Sequence, residues 1–166
     1  MLTEVSGEFV KIVWADFPDV HLTRGAPNRP AAHFNRKGED ALCLSPDIES
    51  ARVAIGQDVS EGHRPRAVVG FRVGRCAVFD LRRPEASDLY ALASQPWRKL
   101  LAEGCSPRCW QAADQLRQQG HVGVIDASRR RPGLWRVTLF RWNEPGAPPV
   151  ESVGPRVPIS VIPDYR

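Results

Sequence analysis

The sequence has 166 residues and a mass of 18.5 kDa, with 42% apolar and 25% charged side chains, the make-up of one globular domain rather than a disordered chain. No window approaches the roughly 18 consecutive apolar residues of a membrane-spanning helix. The start, Met1-Leu2-Thr3-Glu4-Val5, lacks the basic-then-apolar order of a secretory signal, so a cytoplasmic setting is expected. The net charge is +4, and lysine occurs only at Lys11, Lys37 and Lys99. Arginine therefore carries nearly all the positive charge, and guanidinium forks suit phosphates and carboxylates.

In chain order, Phe9 to Trp14 reads as a first strand. Pro18, Gly25, Pro27 and Pro30 then mark a long irregular segment, of a kind that often carries function. Phe34 to Gly38 reads as a strand or loop end closed by a turn, and Ala41 to Leu44 as a short strand. Ser45-Pro46 opens a helix with Ser45 as cap, and Ile48, Ala51 and Ile55 share one face of it. Ala67 to Val73 gives the strongest strand signal, and Ala77-Val78-Phe79 continues the sheet after a turn at Gly74. Short helices are expected around Leu89–Ala93 and Trp97–Leu101. A longer one starts at Ser106-Pro107, presents Trp110, Ala113 and Leu116 on one face and stops at Gly120. Strands follow at Val122–Ile125 and Trp135–Phe140. The order gives an α+β domain over residues 1–145, built on a bent, mixed sheet with flanking helices. Residues 146–166 form a proline-rich tail packed on or near it.

The chemistry is not announced by a common motif. There is no phosphate-cradling glycine loop, metalloprotease helix, EF-hand loop or nucleophile elbow. Cys43, Cys76, Cys105 and Cys109 are read as free thiols, and Cys105-x3-Cys109 lacks the second ligand pair of a zinc site. No metal is expected. Trp97-Arg98-Lys99 and Arg129-Arg130-Arg131 are basic, but the first fits an amphipathic helix and the second a solvated or small-ligand role. Nucleic acid is therefore not the expected partner. One stretch stands out: Gly123-Val124-Ile125-Asp126-Ala127-Ser128-Arg129 runs off an apolar strand into a hydroxyl and a guanidinium that can grip a phosphate or ribose. It can also be read as a polar loop.

The order of these pieces resembles the RES domain family, toxins of bacterial toxin–antitoxin pairs that consume or transfer from NAD. The family's Gly-Gly-Arg-Trp-Asn-x-x-Gly segment is similar to Ala31-Ala32-His33-Phe34-Asn35-Arg36-Lys37-Gly38, and its Leu-Tyr-x-Ser stretch to Leu42-Cys43-Leu44-Ser45. The helix bearing Ala-x-x-Glu matches Ser50-Ala51-Arg52-Val53-Ala54. The closing elements match Ala112 to Gly120, Val122 to Ile125, Ser128-Arg129 and Val137 to Phe140. The likeness covers residues 8 to 143.

The resemblance implies a fold similar to ADP-ribosyltransferases and cleavage of the nicotinamide–ribose bond of NAD, by glycohydrolase, phosphorylase or ADP-ribosyl transfer chemistry. Carried over position by position, the family's first arginine falls on Lys11, its second on His33 and its tyrosine on Cys43. Its catalytic glutamate falls on Ala54, and its serine is kept as Ser128. The transition state of such cleavage is oxocarbenium-like and is stabilised by a carboxylate, which Ala54 cannot supply. Glu49 lies off that helix face, whereas Asp58, four residues after Ala54, lies one turn further along it. The catalytic candidates are Ser128, His33 and Asp58. Lys11, His33, Cys43, Ser128 and Arg129 are the candidates for holding NAD. A helix-turn-helix antitoxin is the partner implied by the resemblance. The alternative is a catalytically impaired domain that keeps the shape and binds a nucleotide such as ADP-ribose, or a protein partner.

Overall fold

The computed structural model describes residues 1–18, 20–55 and 65–160. Its longest strand, β3 (Arg66–Asp80), is buried on both faces at 67–69 and 78–80 and only partly buried between them, with strands paired along both edges. The first strand, β1 (Leu2–Trp14), pairs with it antiparallel along its whole length. β1 thus begins seven residues before the apolar stretch at Phe9: its first half is mostly exposed, and a register shift at Gly7 (φ 107°) re-aims it. β3 also runs straight through Gly74, where a turn was expected. Gly74 is needed there because the Pro149 ring stands 2.6 Å from where a Cβ would lie.

Beyond β3 the order is β4 (Gly123–Ala127), β5 (Trp135–Leu139) and β2 (Leu42–Leu44). Only the short β3–β4 contact is parallel. The sheet is therefore mixed, and it bends back on itself: Ser45, next after β2, exchanges backbone hydrogen bonds of 2.8 and 2.9 Å with Val10 of β1. β4 meets β3 only at Phe79 and Asp80, which leaves the earlier half of that edge open. The proline-rich segment fills it, lying on the surface as a strand, β6 (Val150–Ile159), antiparallel to β3.

One apolar cluster fills the bend, with Phe9, Leu44, Phe71, Ile125, Val137 and Trp142 among its members. A second lies between Val124, Phe79 and Phe140 of the sheet and two helices, α2 (Ser87–Ala93) and α4 (Arg108–Gln118). The face of α4 carrying Trp110, Ala113 and Leu116 is buried as expected, and Gly120 (φ 83°) ends the helix. Helix α1 (Ile48–Ile55) packs on Ile12 and Val68 through Ala51. Its cap is Asp47, whose Oδ1 accepts from the Ser50 N–H at 2.7 Å. Ser45 is spent on the bridge to β1 instead, and Ile48 is exposed. Helix α3 (Trp97–Ala102) has no buried residue. Among the described residues, no helix is long and apolar enough to cross a membrane.

Candidate functional site

The long segment between β1 and β2 has almost no regular structure, so side chains must satisfy its carbonyls. Arginines do much of this. Arg29 donates to Ala41 and His21, and Arg117 to Phe34 and Asp40. Arg36 clasps Asp114 of α4 with two hydrogen bonds of 2.8 and 2.9 Å. Asn35 is buried and bonds Pro30 and Arg36, while the Trp110 indole holds Ala32. The segment is thus pinned over the open end of the sheet, and a cavity of about 570 Å³ lies beneath it, within the size range of small-molecule and cofactor sites.

Five of the six residues singled out from sequence can be located. Lys11, His33, Cys43 and Arg129 line this cavity, together with Ala54. Ser128 lines a smaller adjoining cavity of about 170 Å³, which shares Ala54, Trp97, Arg98, Arg129 and Arg136 with the first. Asp58 lies outside the described residues. Glu49 pairs at the surface with Arg131, 3.2 Å away, and lines neither cavity.

His33 is fixed at both ring nitrogens. Nε2 lies 2.6 Å from the Ala93 carbonyl, which can only accept, so Nε2 bears the proton. Nδ1 then accepts from Arg129 at 3.3 Å. Burial, with the charges of Arg136 and Arg129 adding to it, pushes this imidazole down to about 3 against the Ala93 bond. His33 is therefore neutral and serves to hold Arg129, which also donates to the Ser94 carbonyl at 3.0 Å. Lys11 is half-buried and donates to the Cys43 carbonyl at 3.2 Å. Burial lowers its pKa, and Arg29 and Arg136 lower it further. The Ser128 hydroxyl accepts from the backbone N–H groups of Arg130 and Arg131 at 3.3 and 3.2 Å, which folds the turn bearing the arginines.

Sequence reasoning missed Arg136, Arg29 and Thr138, all on the cavity wall. Arg136 on β5 faces Asp126 on β4 in register, and its Nε lies 3.2 and 3.1 Å from the two carboxylate oxygens. Burial raises the Asp126 pKa against the pull of Arg136. An aspartate inside an apolar strand, with an arginine at the start of the next, was the available signal. The cavity walls hold Lys11, Arg29, Arg66, Arg98, Arg129, Arg130 and Arg136, and no carboxylate among the described residues. Such a surface carries positive charge into the cavity. Among the described residues there is also no group of three histidine, cysteine or acidic side chains placed to hold a metal.

A family model, the RES domain, matches residues 11–161. The chain belongs to the RES domain family. The sequence resemblance to this family, which includes NAD-consuming toxins of toxin–antitoxin systems, is thereby established, and the match takes in the proline-rich strand β6. Among solved structures, a chain of the M. tuberculosis MbcT-MbcA toxin-antitoxin complex is similar to this RES protein with a TM-score of 0.64 at 14% identity, over 96% of this chain and 87% of that one. At that identity the likeness is one of fold, and it agrees with the α+β architecture of a mixed sheet with flanking helices. No curated protein matches by sequence.

Proposed function

We propose that the cavity is an NAD site and that the protein acts on the nicotinamide–ribose bond. The observation that carries this reading is the cationic wall: Lys11 from β1, Arg129 from the turn after β4 and Arg136 from β5 converge on one cavity that no carboxylate lines among the described residues, Asp126 being paired with Arg136 behind the wall. A diphosphate brings the negative charge that such a wall lacks. The guanidiniums of Arg129 and Arg136 present planar forks, and Lys11 a point charge. The nicotinamide ribose points toward Ala54, the position matching the family's glutamate. Trp97 there offers an indole against which a flat ring can lie.

Cleavage requires a group that stabilises positive charge developing on the ribose. Asp58, four residues after Ala54 in the sequence, is the proposed carboxylate, and Ser128 orients the turn that holds the ligand. A second reading has one observation in its favour: Ala54 itself borders both cavities. On that reading the domain binds NAD or ADP-ribose, or docks an antitoxin-like protein, without turnover.

Incubation of the purified protein with NAD, with and without phosphate, separates the two. Nicotinamide release that falls at least a hundred-fold in Asp58→Ala supports the enzyme. Binding of NAD without release supports the nucleotide-binding form of the second reading, and neither binding nor release contradicts the cavity as an NAD site.

A further inference from the structure

Helix α1 turns one face to the smaller cavity: Ser50, Val53 and Ala54, spaced by three and four residues, all line it. Two indoles, Trp97 and Trp135, and Leu134 complete the apolar part of the wall. Trp135 is fixed by an edge-to-face contact with Phe9, their ring centres 6.3 Å apart. At about 170 Å³ the space suits one flat ring rather than a whole nucleotide. The polar side chains of its wall are almost all donors, because arginine and indole nitrogens donate and do not accept. The Ser128 oxygen already accepts from the Arg130 and Arg131 N–H groups, so it has its proton left to give. Ser50 differs. Its Oγ is buried and has no hydrogen-bond partner among the described residues. A buried hydroxyl left unpaired costs stability, and alanine is the better helix former. Ser50 is thus the side-chain acceptor at hand in this wall among the described residues, and the group that meets it must bring an N–H or O–H.

We infer that the smaller cavity takes a primary carboxamide carried on a flat ring, and that Ser50 selects it: Ser50 Oγ accepts from the amide N–H, Ser128 donates its proton to the amide carbonyl, and the ring lies against the Trp97 indole. The inference rests on the reading of the larger cavity as an NAD site and deepens it, since nicotinamide is such a ring and the two cavities share Ala54. The ring then lies beyond Ala54 and the ribose beside it, as cleavage between them requires.

The test is titration of the full chain with nicotinamide, 3-acetylpyridine and ADP-ribose, followed by ¹H–¹⁵N spectra. The indole N–H signals of Trp97 and Trp135, assigned through Trp97→Phe and Trp135→Phe, report on the smaller cavity. 3-Acetylpyridine keeps the ring and the carbonyl but has no N–H. Nicotinamide is expected to move both indole signals saturably and to bind more tightly than 3-acetylpyridine by about five-fold or more, the worth of one hydrogen bond. Ser50→Ala is expected to bring the two rings within about two-fold of each other by weakening nicotinamide alone. Because the Ser50 Oγ has no partner to lose, the variant should melt no lower than the parent. Should it fail to fold, the ratio in the parent decides. Equal affinities in the parent, or a ratio unmoved in Ser50→Ala, overturn the inference, as does nicotinamide that moves neither indole. In each case ADP-ribose shifts at Lys11 and Arg129 leave the NAD site standing, whereas ADP-ribose that shifts nothing contradicts that site as well.

Discussion

His33 and Arg129, 96 residues apart in sequence, share a hydrogen bond of 3.3 Å, with the imidazole accepting. The bond requires the neutral ring with its proton on Nε2, where Ala93 receives it. His33 should therefore show no titration between pH 5 and 8, and ¹⁵N shifts of the ring should report the Nε2–H tautomer throughout. Its pKa is depressed from 6.5 to about 3 in the folded protein. The unfolded chain thus binds the extra proton first, and the stability tied to His33 is complete above about pH 6.5 and falls as the pH drops toward 3. Urea unfolding at several pH values should show that slope, and His33→Asn should flatten it.

The Asp126–Arg136 pair makes an opposite prediction. Asp126→Asn leaves Arg136 among like charges and should destabilise the fold by about 3 kcal/mol or more. Arg136→Met leaves a carboxylate already held high by burial without its counter-charge. The folded variant then keeps a proton that the unfolded chain releases above about pH 4, so its stability should fall as pH rises through that region. Replacing both residues with apolar ones should recover much of the loss, as read from denaturant midpoints.

At Ser128 the hydroxyl accepts two backbone N–H bonds from the turn that carries Arg129 to Arg131. Ser128→Ala should cost about 1 kcal/mol, a drop in melting temperature of roughly 2–4 °C for a chain of this size. It should also weaken ADP-ribose binding, because the arginines lose their fixed turn. Ser128→Thr keeps the acceptor and should bind like the parent.

Gly123 begins β4 where β5 passes closest. A Cβ there would lie 2.6 Å from the Thr138 carbonyl oxygen, and backbone cannot give way as a flexible side chain can. Gly123→Ala should destabilise by about 1–3 kcal/mol. It should also lower ligand affinity, since Thr138 stands in the cavity wall.

Local chemistry in the sequence was enough to place the main elements. Apolar runs located β3, β4 and β5, and the Trp110, Ala113, Leu116 stripe located α4. What failed depended on partners distant in the chain. Ser45 has the right side chain for a cap, but its backbone is claimed by Val10 across the closing sheet, so Asp47 caps instead. Gly74 looks like a turn until Pro149 is placed against it. A run with prolines at 155 and 158 does not resemble a strand, yet among the described residues only one of its edges is paired, and an edge strand tolerates proline. In the site, Lys11, His33, Cys43, Ser128 and Arg129 were visible through the family's order of motifs. Arg29 was not, because nothing local distinguishes a cavity arginine from a surface one in so arginine-rich a chain, and Arg136 was signalled only through the aspartate in the apolar strand before it. Asp126 shows the same limit from the other side: its role exists only once β4 and β5 are in register.

The central claim, that the cavity under the pinned segment is the NAD site, is tested most directly by recording ¹H–¹⁵N spectra of the protein during titration with ADP-ribose. Saturable shifts concentrated at Lys11, His33, Ser128, Arg129 and Arg136, and weakened in Arg129→Gln, are the expected result. Shifts confined to surfaces away from these residues, or no shifts at millimolar ligand, would contradict the claim.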